Sequence, residues 1–246
     1  MSDQAAPTQG EAPPAKVGGL FGPRRRFADS YGLVLLLLVA GYLCGAALGD
    51  SPSGRVVVVL VLAAATWLAL RASQLQRRPL RVAQALIPVL CLVAIGSLLI
   101  GNDDVARAVT AAITVVLSVV APVAILYHLS RRMELSTETF LGAVCIYLLI
   151  AQLFATLFVL TAVIAGQPFF VQTSHPTTID YIYFSFVTMT TVGYGDFTSA
   201  LNVGRMLAVM EAIFGQLYLI TVVALVVQNL GARRQQQRDE GKTPPL

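Results

Sequence analysis

Long apolar runs separated by short polar stretches make up most of the chain after residue 30. Six of these runs are long enough for membrane-crossing helices, each near the ~20 residues that a bilayer core requires. They are predicted at 31–49, 55–71, 82–100, 105–129, 138–165 and 204–230. A shorter apolar and aromatic segment at 179–190 predicts a helix that cannot cross by itself. The pattern therefore predicts an all-α membrane protein with six transmembrane helices and a re-entrant helix between helices 5 and 6.

The stretch after the short helix, residues 190–196, reads Thr-Thr-Val-Gly-Tyr-Gly-Asp. Gly193 and Gly195 can adopt left-handed backbone at little cost, so this loop can alternate its handedness and turn successive carbonyls towards one axis. Such carbonyls can replace the hydration shell of a permeant cation. The stretch resembles the signature of the potassium channel family, in which Thr-Val-Gly-Tyr-Gly forms the selectivity filter. A tight extracellular turn without function is the alternative, and the intact motif with a helix on either side disfavours it.

The resemblance implies a set of roles for the loop and its surroundings. K+ ions would be bound by the backbone of the loop and by the Thr191 hydroxyl, and the ion-binding residues would be Thr191, Val192, Gly193, Tyr194 and Gly195. Asp196 would lie at the outer mouth and raise the local cation concentration. Tyr194 would point away from the axis and pack against Tyr183 and Phe184. The residues expected to support the filter are Tyr183, Phe184, Thr190 and Glu211.

The last apolar run carries two further features. Gly215 corresponds to the glycine hinge of many potassium channel inner helices, although close helix packing explains a glycine there equally well. Three apolar residues at i, i+4 and i+8 spacing share one face and could close a pore by excluding water, and ordinary core packing is the alternative. These gate candidates are Leu219, Val223 and Val227.

Glu211 is an acidic residue at membrane depth in the same run. A carboxyl group there is costly unless it is paired or hydrated, which makes it a functional candidate. We expect it behind the short helix, bonded to hydroxyl or backbone groups, where it would substitute for a carboxylate that some family members carry on the pore helix.

Composition agrees with a membrane protein. The 246 residues are 56% hydrophobic and 12% charged, with a mean hydropathy of +0.73, too little polar surface for a chain dissolved in water. Cys44, Cys91 and Cys145 each fall in an apolar run and are expected to be small packing residues. The sequence contains no paired acid and base, phosphate loop or metal-ligand cluster, so neither an enzyme nor a cofactor is predicted.

The basic residues predict the orientation. Fourteen of the 17 fall on the side of the termini and three on the other, Arg55, Arg107 and Arg205. Basic residues accumulate on the cytoplasmic side, so both termini are predicted to be cytoplasmic, with the chain in a plasma (bacterial inner) membrane. The run Arg24, Arg25 and Arg26 is explained by topology or by contact with anionic lipid. Because the charges flank apolar runs, no nucleic-acid partner is predicted.

The layout also matches that of voltage-gated channels, in which the fourth crossing helix carries several arginines. Here that run has Arg107 alone, at its outer end. One charge crossing the whole field contributes only ~2.3 kcal/mol per 100 mV. We therefore expect a four-helix bundle without a working voltage sensor.

The predicted organisation has five parts: a disordered cytoplasmic N-terminus at 1–29, the four-helix bundle at 30–130, a cytoplasmic linker at 131–137, a pore domain at 138–232 and a short cytoplasmic tail at 233–246. Within the pore domain, the pore helix is expected at 179–190, the filter at 191–196 and the inner helix at 204–231. One loop supplies one quarter of a carbonyl ring, so the resemblance implies a homotetramer.

The predicted function is passive, potassium-selective conduction. The alternatives are a non-selective cation channel, which would need a different filter, and a K+ transporter or sensor subunit. His175, in the outer loop, could sense protons, although a solvated loop residue is the simpler explanation. His128 is expected to be a packing or interfacial residue.

Overall fold

The computed structural model describes residues 25–72, 77–99, 103–130 and 137–240. The predicted N-terminal segment up to Arg24, the linker at 131–136 and the last residues, 241–246, lie outside the described residues. Some helical residues are described by their backbone alone. Among these are residues with predicted roles: Arg25, Arg26, His128, Val223 and Val227.

Helices form almost all of the regular structure in the described residues. They are α1 (Arg25–Leu48), α2 (Pro52–Ala72), α3 (Arg77–Gly96), α4 (Asp103–Ser130), α5 (Thr137–Ala165), α6 (Thr178–Met189) and α7 (Asn202–Glu240). A 3-10 turn at Ser97–Leu99 follows α3. Within the part of the chain that the structure describes, five helices are long and apolar enough to cross a membrane, namely α1, α2, α4, α5 and α7, and the apolar segment Val82–Gly96 of α3 is shorter. The chain is thus an all-α, multi-pass membrane protein.

The last helix is longer than the predicted inner helix, which was expected to end at residue 231. It continues to Glu240, through most of the segment assigned to a separate tail. The added residues are nearly all Arg, Gln, Ala, Asp and Glu. Ala, Arg, Gln and Glu are among the best helix formers, so the helix continues where the apolar pattern stops.

The first core joins α1, α2, α4 and α5. Its fully buried side chains include Tyr31, Leu117, Ile125 and Leu149. The closest helix neighbours are α1 with α2, α4 with α5 and α2 with α4, and α5 also contacts α6 and α7. The bundle therefore packs directly on α5 of its own chain, and α1 also contacts α6 through the rings of Tyr42 and Phe186. The three cysteines are free, and Cys145 is buried in this core.

A second, aromatic core fixes the outer ends of α5, α6 and α7. The rings of Phe158, Phe169, Phe170 and Tyr181 are buried there, with Phe184 and Phe197 packed against them. The turn before α6 and the turn before α7 are also joined by backbone hydrogen bonds, from Val171 N to the Thr198 carbonyl at 3.0 Å and from Ala200 N to the Phe169 carbonyl at 2.7 Å. The segment that follows the loop predicted to be the filter is therefore anchored to the segment that precedes α6.

Candidate functional site: the loop between α6 and α7

The start of α6 is defined by hydrogen bonds between its first residues. Thr177 precedes the helix, and its backbone N–H donates to Asp180 Oδ2 at 2.7 Å while its hydroxyl donates to the same oxygen at 2.9 Å. A carboxylate in the first turn also interacts favourably with the helix dipole. The short helix is thus capped where the sequence pattern starts it.

The loop after α6 alternates in backbone handedness. Thr191, Gly193 and Gly195 have φ values of 60°, 54° and 79°, whereas Val192 and Tyr194, which lie between them, are not left-handed. The two glycines were predicted to be left-handed and Thr191 was not. Thr191 is the one non-glycine residue with positive φ in the described part of the chain.

The N–H groups of the loop point back to α6. Thr191 N donates to the Thr188 carbonyl at 3.0 Å, and the backbone N atoms of Val192 and Gly193 both donate to the Val187 carbonyl, at 3.0 and 3.3 Å. In a trans peptide unit the C=O points opposite to the N–H. The carbonyls of Thr190, Thr191 and Val192 are therefore directed away from α6, to the side on which this loop is exposed.

The side chains expected around Tyr194 are arranged differently from the prediction. Tyr194 is 72% exposed, and it forms no ring contact with Tyr183 or Phe184 among the described residues. Phe184 instead packs against Phe158 and the other rings of the aromatic core. The contacts expected for Tyr194 are therefore not formed within one chain, where Phe184 packs in the aromatic core and Tyr183 binds Asp196.

Tyr183 contacts the outer end of the loop. Its hydroxyl donates to Asp196 Oδ2 at 2.7 Å, and this hydrogen bond to the carboxylate raises the pKa of Tyr183 to about 12. The other carboxylate oxygen of Asp196 accepts the Phe197 N–H at 3.1 Å. Asp196 is thus held at the exposed end of the loop. At the other end of the loop, the Thr190 hydroxyl donates a hydrogen bond to the Phe186 carbonyl at 2.6 Å.

Glu211 is completely buried between α5, α6 and α7. Ser185 Oγ lies within hydrogen-bonding distance of Glu211 Oε1 and, at 2.7 Å, of the Ala151 carbonyl oxygen. A hydroxyl has one proton and a carbonyl can only accept, so both contacts are hydrogen bonds only when Glu211 carries a proton and donates it to Ser185. The second oxygen of Glu211 has no partner among the described residues, which a neutral carboxyl tolerates better than a charged one.

Gly215 lies where α7 approaches the end of α6. A Cβ atom at this position would be 2.6 Å from the Met189 carbonyl oxygen and 2.8 Å from Met189 Cγ. This distance favours close packing, one of the two explanations open for this glycine. On the next turn Leu219 is 39% exposed, and the side chains of the other two gate candidates, Val223 and Val227, lie outside the described residues.

Three side-chain hydrogen bonds at the site were not predicted from the sequence pattern. Gln216 Nε2 donates to Thr191 Oγ1 at 3.2 Å. Asp50, in the turn between α1 and α2, accepts hydrogen bonds from Arg107 Nη2 at 2.6 Å and from the Thr178 hydroxyl at 2.5 Å. The available sign for Gln216 was a polar residue inside an apolar run. His175 lies apart from these contacts, exposed in the outer loop.

A stripe of exposed apolar side chains runs along α7. Its members alternate in spacing by three and four residues, and they are Val203, Met206, Met210, Ile213, Leu217 and Ile220. This is the spacing of helices that pack against other helices. Their exposed fractions lie between 43% and 63%, so a large apolar surface next to the loop is left for another chain or for lipid.

Residues 144–231 match the profile of a family described as an ion channel. The match covers α6, the loop and most of α5 and α7, which is about a third of the chain. No curated protein and no solved structure matches the chain. The matched residues support an ion channel and a non-enzymatic function, and they contain the loop whose geometry is given above.

Proposed function

From the premise that residues 144–231 form an ion-channel domain, we propose that the protein conducts K+ passively and selectively as a homotetramer. The observation that carries the proposal is the alternation of left-handed backbone at Thr191, Gly193 and Gly195. Alternation turns successive carbonyls the same way, and the bonds from Val192 and Gly193 back to α6 support the direction away from that helix. K+ would exchange its hydration water for these oxygens and for the Thr191 hydroxyl.

The shape of a single chain supports the proposed assembly with further copies. The loop is exposed from residue 190 to residue 196, so one copy cannot enclose an ion. The exposed apolar stripe of α7 lies next to it and supports packing against further copies. Four copies would surround one axis with carbonyl oxygens, and Tyr194, exposed in one chain, would then contact a neighbouring copy.

The proposed topology places α6 as a re-entrant pore helix between the crossing helices α5 and α7. The sixth crossing would be made by α3 together with the 3-10 turn that follows it. Both termini would be cytoplasmic, in a bacterial inner membrane, with anionic lipid near Arg24, Arg25 and Arg26. Arg107 pairs with Asp50, which supports a bundle without mobile gating charge. The stimulus that opens the pore would then act on groups other than Arg107.

The test is flux through purified protein in liposomes loaded with K+, measured in K+ and in Na+ gradients. We expect K+ flux to exceed Na+ flux strongly, and chemical cross-linking in detergent to stop at four copies. Equal Na+ and K+ flux would favour the non-selective alternative. Absence of flux would favour a transporter or sensor subunit, and a monomer would contradict the proposed pore.

Two glycine variants provide a matched pair. Gly193→Ala should abolish selective flux, because a side chain in left-handed backbone costs roughly 1–2 kcal/mol and displaces a carbonyl. Gly166→Ala introduces the same strain at φ 61° outside the loop, where a Cβ atom also meets no neighbour within 4 Å. Gly166→Ala should therefore conduct like the unchanged protein.

A further inference from the structure

Gln216 of α7 contacts the inner end of the loop through its side chain. Its side-chain Nε2 donates a hydrogen bond to Thr191 Oγ1 at 3.2 Å. The contact is possible because Gly215 brings α7 against Met189, close to where the loop begins. Gln216 and Leu219 are three residues apart and so lie on the same side of α7. The amide therefore lies next to the loop on the helix side that also carries a gate candidate.

Thr191 is strained where Gln216 touches it. Its φ of 60° is left-handed, which is unfavourable for a β-branched residue because Cβ crowds the backbone. Such a conformation persists only when surrounding contacts hold it. The described contacts of Thr191 are its N–H bond to the Thr188 carbonyl at 3.0 Å and the bond from Gln216. Only the second reaches the side chain.

We propose that Gln216 is a positioning residue that sets ion selectivity by holding Thr191. The inference rests on the proposed function, since Thr191 matters for selectivity only if the loop is a filter. By donating to Oγ1, the amide takes one acceptor site of the hydroxyl and fixes the Thr191 rotamer. The remaining lone pair of Oγ1 and the Thr191 carbonyl oxygen then both face the ion path, so one residue supplies two oxygens.

Loss of the amide would act on the backbone as well as on the hydroxyl. Without Gln216, Thr191 can relax towards right-handed backbone, and the alternation then begins at Gly193 instead. The innermost oxygens would no longer keep the spacing that distinguishes K+ from Na+. A hydrogen bond of ordinary strength corresponds to a change of about two- to tenfold in an equilibrium. A loss of K+ over Na+ selectivity of this size is therefore expected.

The experiment is a double-mutant cycle read as the ratio of K+ to Na+ flux in liposomes. Gln216→Met keeps the length of the side chain without its donor, and Thr191→Val keeps the β-branch without the hydroxyl. Thr191→Ser keeps the hydroxyl and should still respond to Gln216→Met. The matched control is Thr221→Val, which removes a hydroxyl on the same helix whose one bond to a described residue is to the Leu217 carbonyl, at 2.7 Å.

We expect Gln216→Met to lower the ratio about two- to tenfold, to have no further effect on Thr191→Val, and to assemble as the unchanged protein does. Thr221→Val should leave the ratio unchanged. An unchanged ratio in Gln216→Met, or an equal loss with and without the Thr191 hydroxyl, overturns the inference while the proposed function stands. Failure of Gln216→Met to assemble while Thr221→Val assembles also overturns it, because Gln216 would then be a folding residue. An unchanged protein without selectivity overturns the proposed function, and this inference with it.

Discussion

Arg107 of α4 and Asp50 of the turn between α1 and α2 form a salt bridge, with Nη2 and Oδ2 2.6 Å apart. The two side chains are 32% and 18% exposed. The other oxygen of Asp50 accepts a hydrogen bond from Thr178, the first residue of α6. One carboxylate therefore connects the four-helix bundle to the helix that precedes the candidate filter. A cavity of about 60 Å³, lined by Arg55, Arg107 and Gln152 among others, adjoins it.

Asp50→Asn should destabilise the protein by about 1–2 kcal/mol, between the values for exposed and buried pairs, because Arg107 loses its partner in a partly buried place. The measurement is thermal unfolding of the detergent-solubilised protein. Arg107→Gln should cost a similar amount, and the double variant less than the sum of the two. Additive costs would contradict a coupling between the two residues. Thr178→Val, which removes only the second bond, is the control for the contact to α6.

Glu211→Gln should preserve the protein, because an amide can donate to Ser185 Oγ as the protonated carboxyl does. Glu211→Ala should cost roughly 2–4 kcal/mol, since it leaves a cavity and breaks the hydrogen-bond chain across α5, α6 and α7. Thermal unfolding and K+ flux are the measurements. Equal losses for the two variants would contradict donation from a protonated Glu211 to Ser185.

Gly215→Ala should destabilise the protein by about 1–3 kcal/mol through overpacking against Met189. Thermal unfolding measures it, with Gly32→Ala in α1 as the control, because a Cβ atom there meets only Leu141 Cδ1 at 4.0 Å. The control should be neutral or stabilising by up to about 1 kcal/mol, the difference in helix propensity. Altered gating without any loss of stability in Gly215→Ala would favour the hinge explanation instead.

Tyr183→Phe removes the hydrogen bond to Asp196, so this carboxylate should be held less firmly at the outer end of the loop. The stability of K+ conduction should change as a result. The hydrogen bond raises the pKa of Tyr183, so the neutral, donating form is favoured in the folded state. Its contribution is complete below about pH 10, the ordinary tyrosine pKa, and is lost as the pH rises towards 12. K+ flux recorded from pH 6 to pH 9 should have the same pH dependence in the unchanged protein and in Tyr183→Phe. A titration in that range that disappears in the variant would contradict this assignment.

Much of the loop follows from local properties of its residues. Glycine adopts left-handed backbone without steric cost, so the conformations of Gly193 and Gly195 could be predicted from residue type alone. The same reasoning fails at Thr191, because a β-branched residue becomes left-handed only when contacts such as that with Gln216 hold it there. Those two residues are 25 positions apart, and no residue-by-residue rule brings them together.

Five of the six predicted crossing helices were likewise predictable, since bilayer thickness sets the length of an apolar run wherever it occurs. The third, predicted at 82–100, has only the shorter apolar segment Val82–Gly96. The end of α7 at Glu240 was missed because good helix formers extend a helix without any apolar signal. The predicted packing of Tyr194 is not formed within one chain, where Phe184 packs against Phe158 and the Tyr183 hydroxyl binds Asp196.

Residue type and spacing were thus enough to specify where helices cross a bilayer and where a glycine-alternating loop lies between them. The folded chain was needed to show that Asp50 meets Arg107 across 57 positions and that Glu211 meets Ser185 across 26. The physical reason is range: backbone preference and hydrophobic length act within a few residues. Polar partners inside a helical bundle are selected by which helix faces meet, and that is decided by the packing of the whole chain.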